Sequence, residues 1–298
     1  SLGSNALFAN NIQLANTGLS DQNSSSHYKM VNFDVSWENS WRTSANEQNW
    51  DAAWIFVKFR KNGGSGWQHA TINYSSPGDA ASSGHTAASG AAIKTSSDGK
   101  GIFLYRSADG IGNVNFAGNK LRWNYGADGV LDSDSVEVNV YATEMVYVTE
   151  GKFYLGSNGT ESAHFRQGDK DQAYQVSSEN PISLGTAAGN LYWNIEGYSG
   201  SASGSIPEAY PKGFKGFYCM KYECSEQQYV DFLNNIDAAK ATNRNTGAYT
   251  GTHPALTAAH PERAAGSTSF IDHAAFADWA CLRPITELEF EKACRGYN

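Results

Sequence analysis

Nowhere do the 298 residues contain an apolar run of the roughly 20 residues that a membrane-spanning helix needs, so no span of that kind is expected. Basic residues are scarce too: 22 Lys and Arg stand against 30 Asp and Glu, for a formal net charge of −8. Phosphate-backbone binding draws its main favourable term from clustered Lys and Arg, and no such cluster occurs, which excludes nucleic acid as the partner. Cysteine is limited to Cys219, Cys224, Cys281 and Cys294, with no CxxC pair, so a four-ligand zinc site is not encoded. The seven histidines, His27, His69, His85, His164, His253, His260 and His273, show neither triad nor metal spacing. No signal-peptide pattern opens the chain, so if the protein is exported the sequence is expected to be its mature form or an excerpt of it.

What is present points to a folded, β-rich chain long enough for two domains. Hydrophobic residues make 40%, charged residues only 17%, and Trp, Tyr and Phe together 13%. Such a composition is common outside the cell, and the expected location is secreted or at the cell surface. Between Ser1 and Ala142 there are short β signals and no helix. Val31, Phe33, Val35 and Trp37 alternate with Asn32, Asp34 and Ser36, the period-two signature of a strand with one buried face. Similar runs follow at Ala53–Arg60, Trp67–Tyr74, Gly101–Arg106, Leu121–Tyr125 and Val136–Tyr141, separated by Gly- and Ser-rich turns. The spacing predicts an antiparallel β-sandwich over 1–142, with Val31, Phe33, Val35, Ile55, Val57, Phe59, Val136, Val138 and Val140 inward.

Three features of this half and the next could carry chemistry. Asp128, Asp132 and Asp134 in GADGVLDSDS form an oxygen-rich loop, a calcium candidate, although the spacing is not that of an EF-hand and no glutamate closes it. Trp37, Trp41, Trp50, Trp54 and Trp67 read either as core or as an aromatic platform for sugar. Asn158-Gly159-Thr160 matches a glycosylation sequon. Asn158–Pro211 reads as a polar, irregular insertion around one strand-like patch, Leu191–Ile195, and Thr242–Thr268 as a second long loop.

The last third is the most legible stretch. Tyr218–Cys224 alternates like a strand; Ser225 and Gln228 then form a capping box, and Tyr229, Phe232, Leu233 and Ile236 make the core stripe of an amphipathic helix. A helix is expected from about Asp272 to Ala280, with Ala275, Phe276 and Trp279 on one face. Another starts at the Thr286–Glu289 capping box, turns its apolar side through Leu288, Phe290 and Ala293, and ends at Gly296. Cys219 and Cys224 point to opposite faces of one strand and should not bond each other. The thiols read either as free buried groups or as including a disulfide, for which Cys281 and Cys294 are the candidates.

EMVYVTEGKFYLGS, then GFYCMKYECSEQQYVDFLNN, then RPITELEFEKACRG after Trp279, closely resembles in that order the formylglycine-generating enzyme (sulfatase-modifying factor) family. The resemblance covers about Thr143–Asn298, giving an α+β chain of two domains, 1–142 and 143–298. It implies a compact fold related to the C-type lectin architecture. In the enzymes of the family it implies copper- and oxygen-dependent oxidation of a substrate cysteine by a pair of thiolates, soft ligands suited to Cu(I). That pair lies near an RGGSW-like segment, and this chain stops at CRGYN before it, so no catalytic residue is carried over and the domain is expected to be incomplete. The Trp-rich N-terminal half running into these motifs is also similar to exported surface proteins of Bacteroidota bacteria.

Two functions follow: a non-catalytic extracellular binding or structural protein in a larger assembly, or an oxidase of the formylglycine-generating type whose catalytic half lies beyond Asn298. On the first, the stripe on Tyr229, Phe232, Leu233 and Ile236 and the faces of Trp279 and Phe290 need a partner. That partner is another protein, the C-terminal remainder, or a second copy in a homo-oligomer.

Overall fold

Eight strands come first, the clearest of them where β-branched and aromatic residues alternate with polar ones or run together. They are β1 (Gln13–Asn23), β2 (Tyr28–Arg42), β3 (Trp50–Lys61), β4 (Gln68–His69), β5 (Ala91–Thr95), β6 (Ile102–Arg106), β7 (Gly110–Trp123) and β8 (Val136–Val148). The computed structural model describes residues 11–64, 66–194, 203–245 and 247–296. The first ten residues of the expected sandwich, and Ile195 of the expected strand patch, lie outside them. The chain divides into two units, residues 1–146 with 220–284, and residues 147–219 with 285–298.

In the first unit β2 lies antiparallel between β1 and β7, and passes to β3 through the pair Arg42–Trp50. β3 pairs with β4, β6 and β8, and β6 with β5. Val31, Phe33 and Val35 of β2 share one apolar cluster with Ile55, Val57 and Phe59 of β3 and with Phe116, Leu121 and Trp123 of β7. Each such side chain contributes about 1.5–3 kcal/mol by leaving water. Val140 is buried in the same cluster, and Val136 and Val138 pack partly against it. β1, β5 and the first half of β7 were not legible in the sequence, because QLANTGLSDQN and GIGNVN carry little apolar alternation.

β3 differs from the expected one-faced strand, since Asp51–Phe59 is buried at every position. A continuous run such as AAWIFV belongs to a strand covered on both sides. The second cover comes from α3 (Phe270–Trp279), on which α1 (Glu226–Asn235) packs; α2 (Ala238–Arg244) belongs to the same unit. The Trp279 ring meets Phe56 of β3 edge-on at 5.2 Å and Tyr141 of β8 at 4.9 Å, and Phe232 of α1 lies 5.8 Å from Trp279. Tyr229, Phe232 and Leu233 are therefore buried by this chain itself, which corrects the expectation that their stripe is left for another polypeptide.

The capping boxes hold. Ser225 and Gln228 close the start of α1, and Ser269 with Asp272 starts α3 two residues before the position expected, because that box recruits Phe270 and Ile271 into the helix. α2 takes in residues 242–244, the start of the stretch expected to be a loop; Asp237 caps it by accepting from the N–H groups of Ala239 and Lys240.

Within α1, burial lifts the Asp231 carboxyl to about 6, while Gln227 donating to Oδ1 at 2.9 Å pulls the other way. An acid whose pKa is raised on folding keeps its proton longer when folded. Stability is therefore lost as pH rises from about 4 to 6, and the penalty is complete at pH 7. Asp231→Asn keeps the acceptor for Gln227 and removes the charge. It is expected to raise unfolding stability at pH 7 by about 1–2 kcal/mol and to leave it unchanged at pH 3, as read from urea midpoints at the two pH values.

The second unit holds β9 (Phe153–Leu155), β10 (His164–Gln167), β11 (Tyr174–Val176), β12 (Ile182–Leu184), β13 (Leu191–Asn194), β14 (Gly204–Ile206), most of β15 (Phe217–Met220) and the helix α4 (Glu287–Arg295). The region read as an irregular insertion is in fact a four-stranded sheet in the order β10-β13-β12-β14, beside the antiparallel pair β9–β11. Its strands of three or four residues are too short to show periodicity in so polar a sequence. Phe153, Leu155, Val176, Ile182 and Leu191 form the core with Leu288 of α4.

Of the side of α4 expected to be buried, only Leu288 is. Leu288, Glu289 and Lys292 point inward, whereas Phe290 is 51% exposed and Ala293 lies on the exposed side. The reason is polar. Glu289 is committed to the capping box with Thr286, and Lys292 Nζ donates to the carbonyls of Thr149 at 2.5 Å and Gly213 at 2.7 Å while resting 5.4 Å from the Phe153 ring centre. Among the described residues no helix is long and apolar enough to cross a membrane.

Candidate functional site

The three aspartates of the calcium candidate are not brought together. Asp128 accepts from Thr71 N, Thr71 Oγ1 and Trp123 Nε1 at 2.6–2.9 Å. Asp132 is taken by His27 Nδ1 at 2.9 Å and the Tyr125 hydroxyl at 2.7 Å, and Asp134 by Leu131 N and Lys61 Nζ, both at 2.9 Å. Each carboxylate is thus committed to a different set of partners. Among the described residues no group of three or more His, Cys, Asp or Glu converges as a metal set.

Most of the N-terminal tryptophans build structure. Trp37 is buried and donates to Asp51 at 2.8 Å, Trp54 donates to the carbonyl of Ala280 at 2.8 Å, and the Trp50 ring stacks on Tyr105 with Arg42 over its face. Asp51 is the hub of a buried polar network. Its two oxygens accept from Trp37 Nε1, Ser40 Oγ and Trp41 N, and Lys221 Nζ lies 3.3 Å from Oδ2 and 3.5 Å from Glu144 Oε2.

All four cysteines are free. Cys281 and Cys294, weighed as a bonded pair, are both free, the second of them in the last turn of α4. Burial pushes the Cys224 thiol up to about 12. It raises Cys219 as well, with the nearby charge of Cys294 adding to the effect. Thiols held protonated in this way are poor preformed ligands for Cu(I), which binds thiolate. The cysteines present do not fit the copper pair of the family resemblance.

In the first unit the structure brings together groups 212 residues apart in sequence. The α3 C-terminus is closed by Ala280 N donating to Phe276 O at 2.9 Å and Leu282 N to Ala277 O at 2.7 Å, and Trp54 holds the Ala280 carbonyl. That places Cys281, in left-handed backbone at φ 55°, with its Sγ 3.1 Å from His69 Nδ1 and 3.4 Å from Nε2. His69 is the cross-strand neighbour of Lys58 in the β3–β4 pair, and its ring is stacked on Phe56. His69 Nε2 also meets the carbonyl of Lys100, which is presented by a turn where Asp98 accepts from Lys100 N at 3.0 Å. A carbonyl only accepts, so Nε2 carries the proton; Sγ, close to both ring nitrogens, rests over the imidazole face and off the in-plane Nδ1 lone pair.

Burial, then the Lys58 charge, lowers His69 to about 4, so the imidazole is neutral at physiological pH. Burial raises the Cys281 thiol, and the charges of Lys58 and Lys100 oppose that rise. Lys58 is itself lowered by burial beside the Trp279 and Phe56 rings. The sequence offered no spacing that would join His69 to Cys281. Its one signal was Lys58 inside the apolar run of β3, a polar group that had to meet partners on the covered face.

The second unit contains a separate cavity of about 650 Å³ lined in part by Tyr154, Ser157, Asn158, Ala173 and Arg295. Arg295 is paired with Glu291 at 2.6 Å, and Asn158 Oδ1 accepts from Ala173 N at 2.7 Å, so the sequon asparagine helps to build the wall.

A family model described as the sulfatase-modifying factor enzyme 1-like domain matches residues 129–298. No curated protein and no solved structure gives a significant match.

Proposed function

We propose, for a chain that belongs to the sulfatase-modifying factor enzyme 1-like family, that it acts as a non-catalytic extracellular binding or structural protein within a larger assembly. The observation that carries this reading is the state of the thiols. Cys224 and Cys281 belong to one unit and Cys219 and Cys294 to the other, and burial holds Cys224, Cys219 and Cys281 toward the protonated form. The family's oxidation needs two accessible thiolates on one metal, a demand this arrangement meets poorly.

On this reading the strands of residues 1–142 are an antiparallel sandwich, residues 143–298 carry the family domain with its lectin-related architecture, and the protein works at the cell surface or beyond it. Supporting an interaction role, Phe270 and Ile271 at the start of α3 stand 74% and 70% exposed. The partner is a protein, the remainder of the same polypeptide or a second copy. Incubation of the purified chain with Cu(I), oxygen and a cysteine-containing sulfatase peptide is expected to give no formylglycine by mass spectrometry. Turnover that is lost in Cys219→Ser or Cys294→Ser would replace this reading with the oxidase.

A further inference from the structure

We propose that Asp51 and Lys221 join in an intramolecular amide, a covalent modification made within the folded chain with Glu144 as the proton relay. Lys221 Nζ lies 3.3 Å from Asp51 Oδ2 and 3.5 Å from Glu144 Oε2. The backbone sets this meeting. β3, which carries Asp51, pairs with β8, which carries Glu144, and the Lys221 N–H donates to the Glu144 carbonyl at 3.0 Å. The side chains of Asp51, Glu144 and Lys221 are only 1%, 6% and 12% exposed, and the rings of Trp41 and Tyr222 lie 4.8 Å and 5.7 Å from Nζ. The ammonium needs one carboxylate to balance it; Glu144 is the second, placed to pass protons between nitrogen and oxygen. Burial strips the ion pair of its hydration, which brings the neutral amine and acid closer to it in free energy. Holding nucleophile and electrophile in contact raises their effective concentration by orders of magnitude.

The ion pair is the reactant state. One proton passes from Nζ to Asp51 Oδ2, directly or through Glu144, leaving an amine and a carboxylic acid. The nitrogen lone pair attacks Cγ, and a second proton leaves the nitrogen through Glu144 and reaches Oδ2. The Cγ–Nζ bond forms, the Cγ–Oδ2 bond breaks, and the oxygen departs as water. Ammonium and carboxylate have become amide and water, with no change of oxidation state and no co-reactant, and Glu144 ends as it began. The surroundings suit this course. Ser40 Oγ and Trp41 N donate to Oδ1 at 2.7 Å and 3.1 Å, on the oxygen that gathers charge while nitrogen adds, and Trp37 Nε1 donates to the departing Oδ2 at 2.8 Å. The bond spans 170 positions and ties β3 to the beginning of the 220–284 segment.

The test weighs the purified full chain by intact mass spectrometry and maps it after digestion with a protease that cuts at lysine. The chain is expected to be lighter than its sequence by the mass of one water. Water is also lost when an Asp-Gly sequence such as Asp128-Gly129 closes to a succinimide, so the map decides. The peptide bearing Asp51 is expected to be joined to the peptide bearing Lys221, and cleavage after Lys221 to be lost. Lys221→Arg keeps the positive charge, removes the nucleophile and is expected to show the full mass. Glu144→Gln keeps both reactants and is expected to slow joining about a hundredfold, leaving the two peptides largely apart at purification. Asp51 and Lys221 found only in separate peptides of the unsubstituted chain overturn the proposal, whether or not either variant folds. Joining that is as complete in Glu144→Gln overturns the relay assigned to Glu144.

Discussion

Trp279→Ala is expected to destabilise the first unit by about 3–5 kcal/mol, the range for deleting a buried aromatic. The indole touches Phe56, Tyr141, Phe232 and Phe276 at centroid distances of 4.9–5.9 Å, drawn from β3, β8, α1 and α3. Its removal leaves a void that none of these rings can fill without leaving its own rotamer, and Lys58 loses the ring 5.5 Å from its ammonium. Urea denaturation followed by circular dichroism should show the midpoint fall with the slope unchanged. A loss below about 1 kcal/mol would mean that the helices do not close the second face of β3.

The second large effect is expected at Asp51. The residue is 1% exposed, and Asp51→Ala strands the donors of Trp37, Ser40 and Trp41 and leaves Lys221 with Glu144 alone. Breaking a buried, hydrogen-bonded ion pair from one side costs about 3–5 kcal/mol, because the remaining charge and dipoles have no water to turn to. Asp51→Asn keeps the shape and one acceptor oxygen, so it should cost clearly less. Equal losses in the two variants, measured by the same denaturation, would show that packing volume and not the polar network sets the stability here.

Legibility in the sequence followed local chemistry. Capping boxes at Ser225 and Thr286 could be read residue by residue, because the donor and acceptor lie three positions apart in every such motif. The alternation of β2 was equally plain. What escaped was set by distance. Lys292 is held inward by the carbonyls of Thr149 and Gly213, far from it in sequence, and that turns α4 away from the side bearing Phe290 and Ala293. Cys281 and His69 likewise gain their meaning from a pairing across 212 positions. Asp128, Asp132 and Asp134 shared a stretch of sequence and yet point to separate partners, since in a tight turn neighbouring side chains diverge. The family motifs were legible because they record long-range packing in local spelling, and the matched segment, 129–298, begins earlier than the motifs alone suggested.

β3 carries a consequence for how this protein can be taken apart. Its inner side chains Ile55, Val57 and Phe59 belong to the strand core, while Trp54 and Phe56 on its other side are bound to Ala280 and Trp279. A chain cut at residue 142 would therefore keep every strand before the cut and still present a wet aromatic wall, and the released piece would carry helices with an uncovered stripe. The segment that inheritance has kept together and the segment that folds together overlap without coinciding. A fragment meant to fold by itself has to follow the second, taking residues 220–284 along with the N-terminal strands.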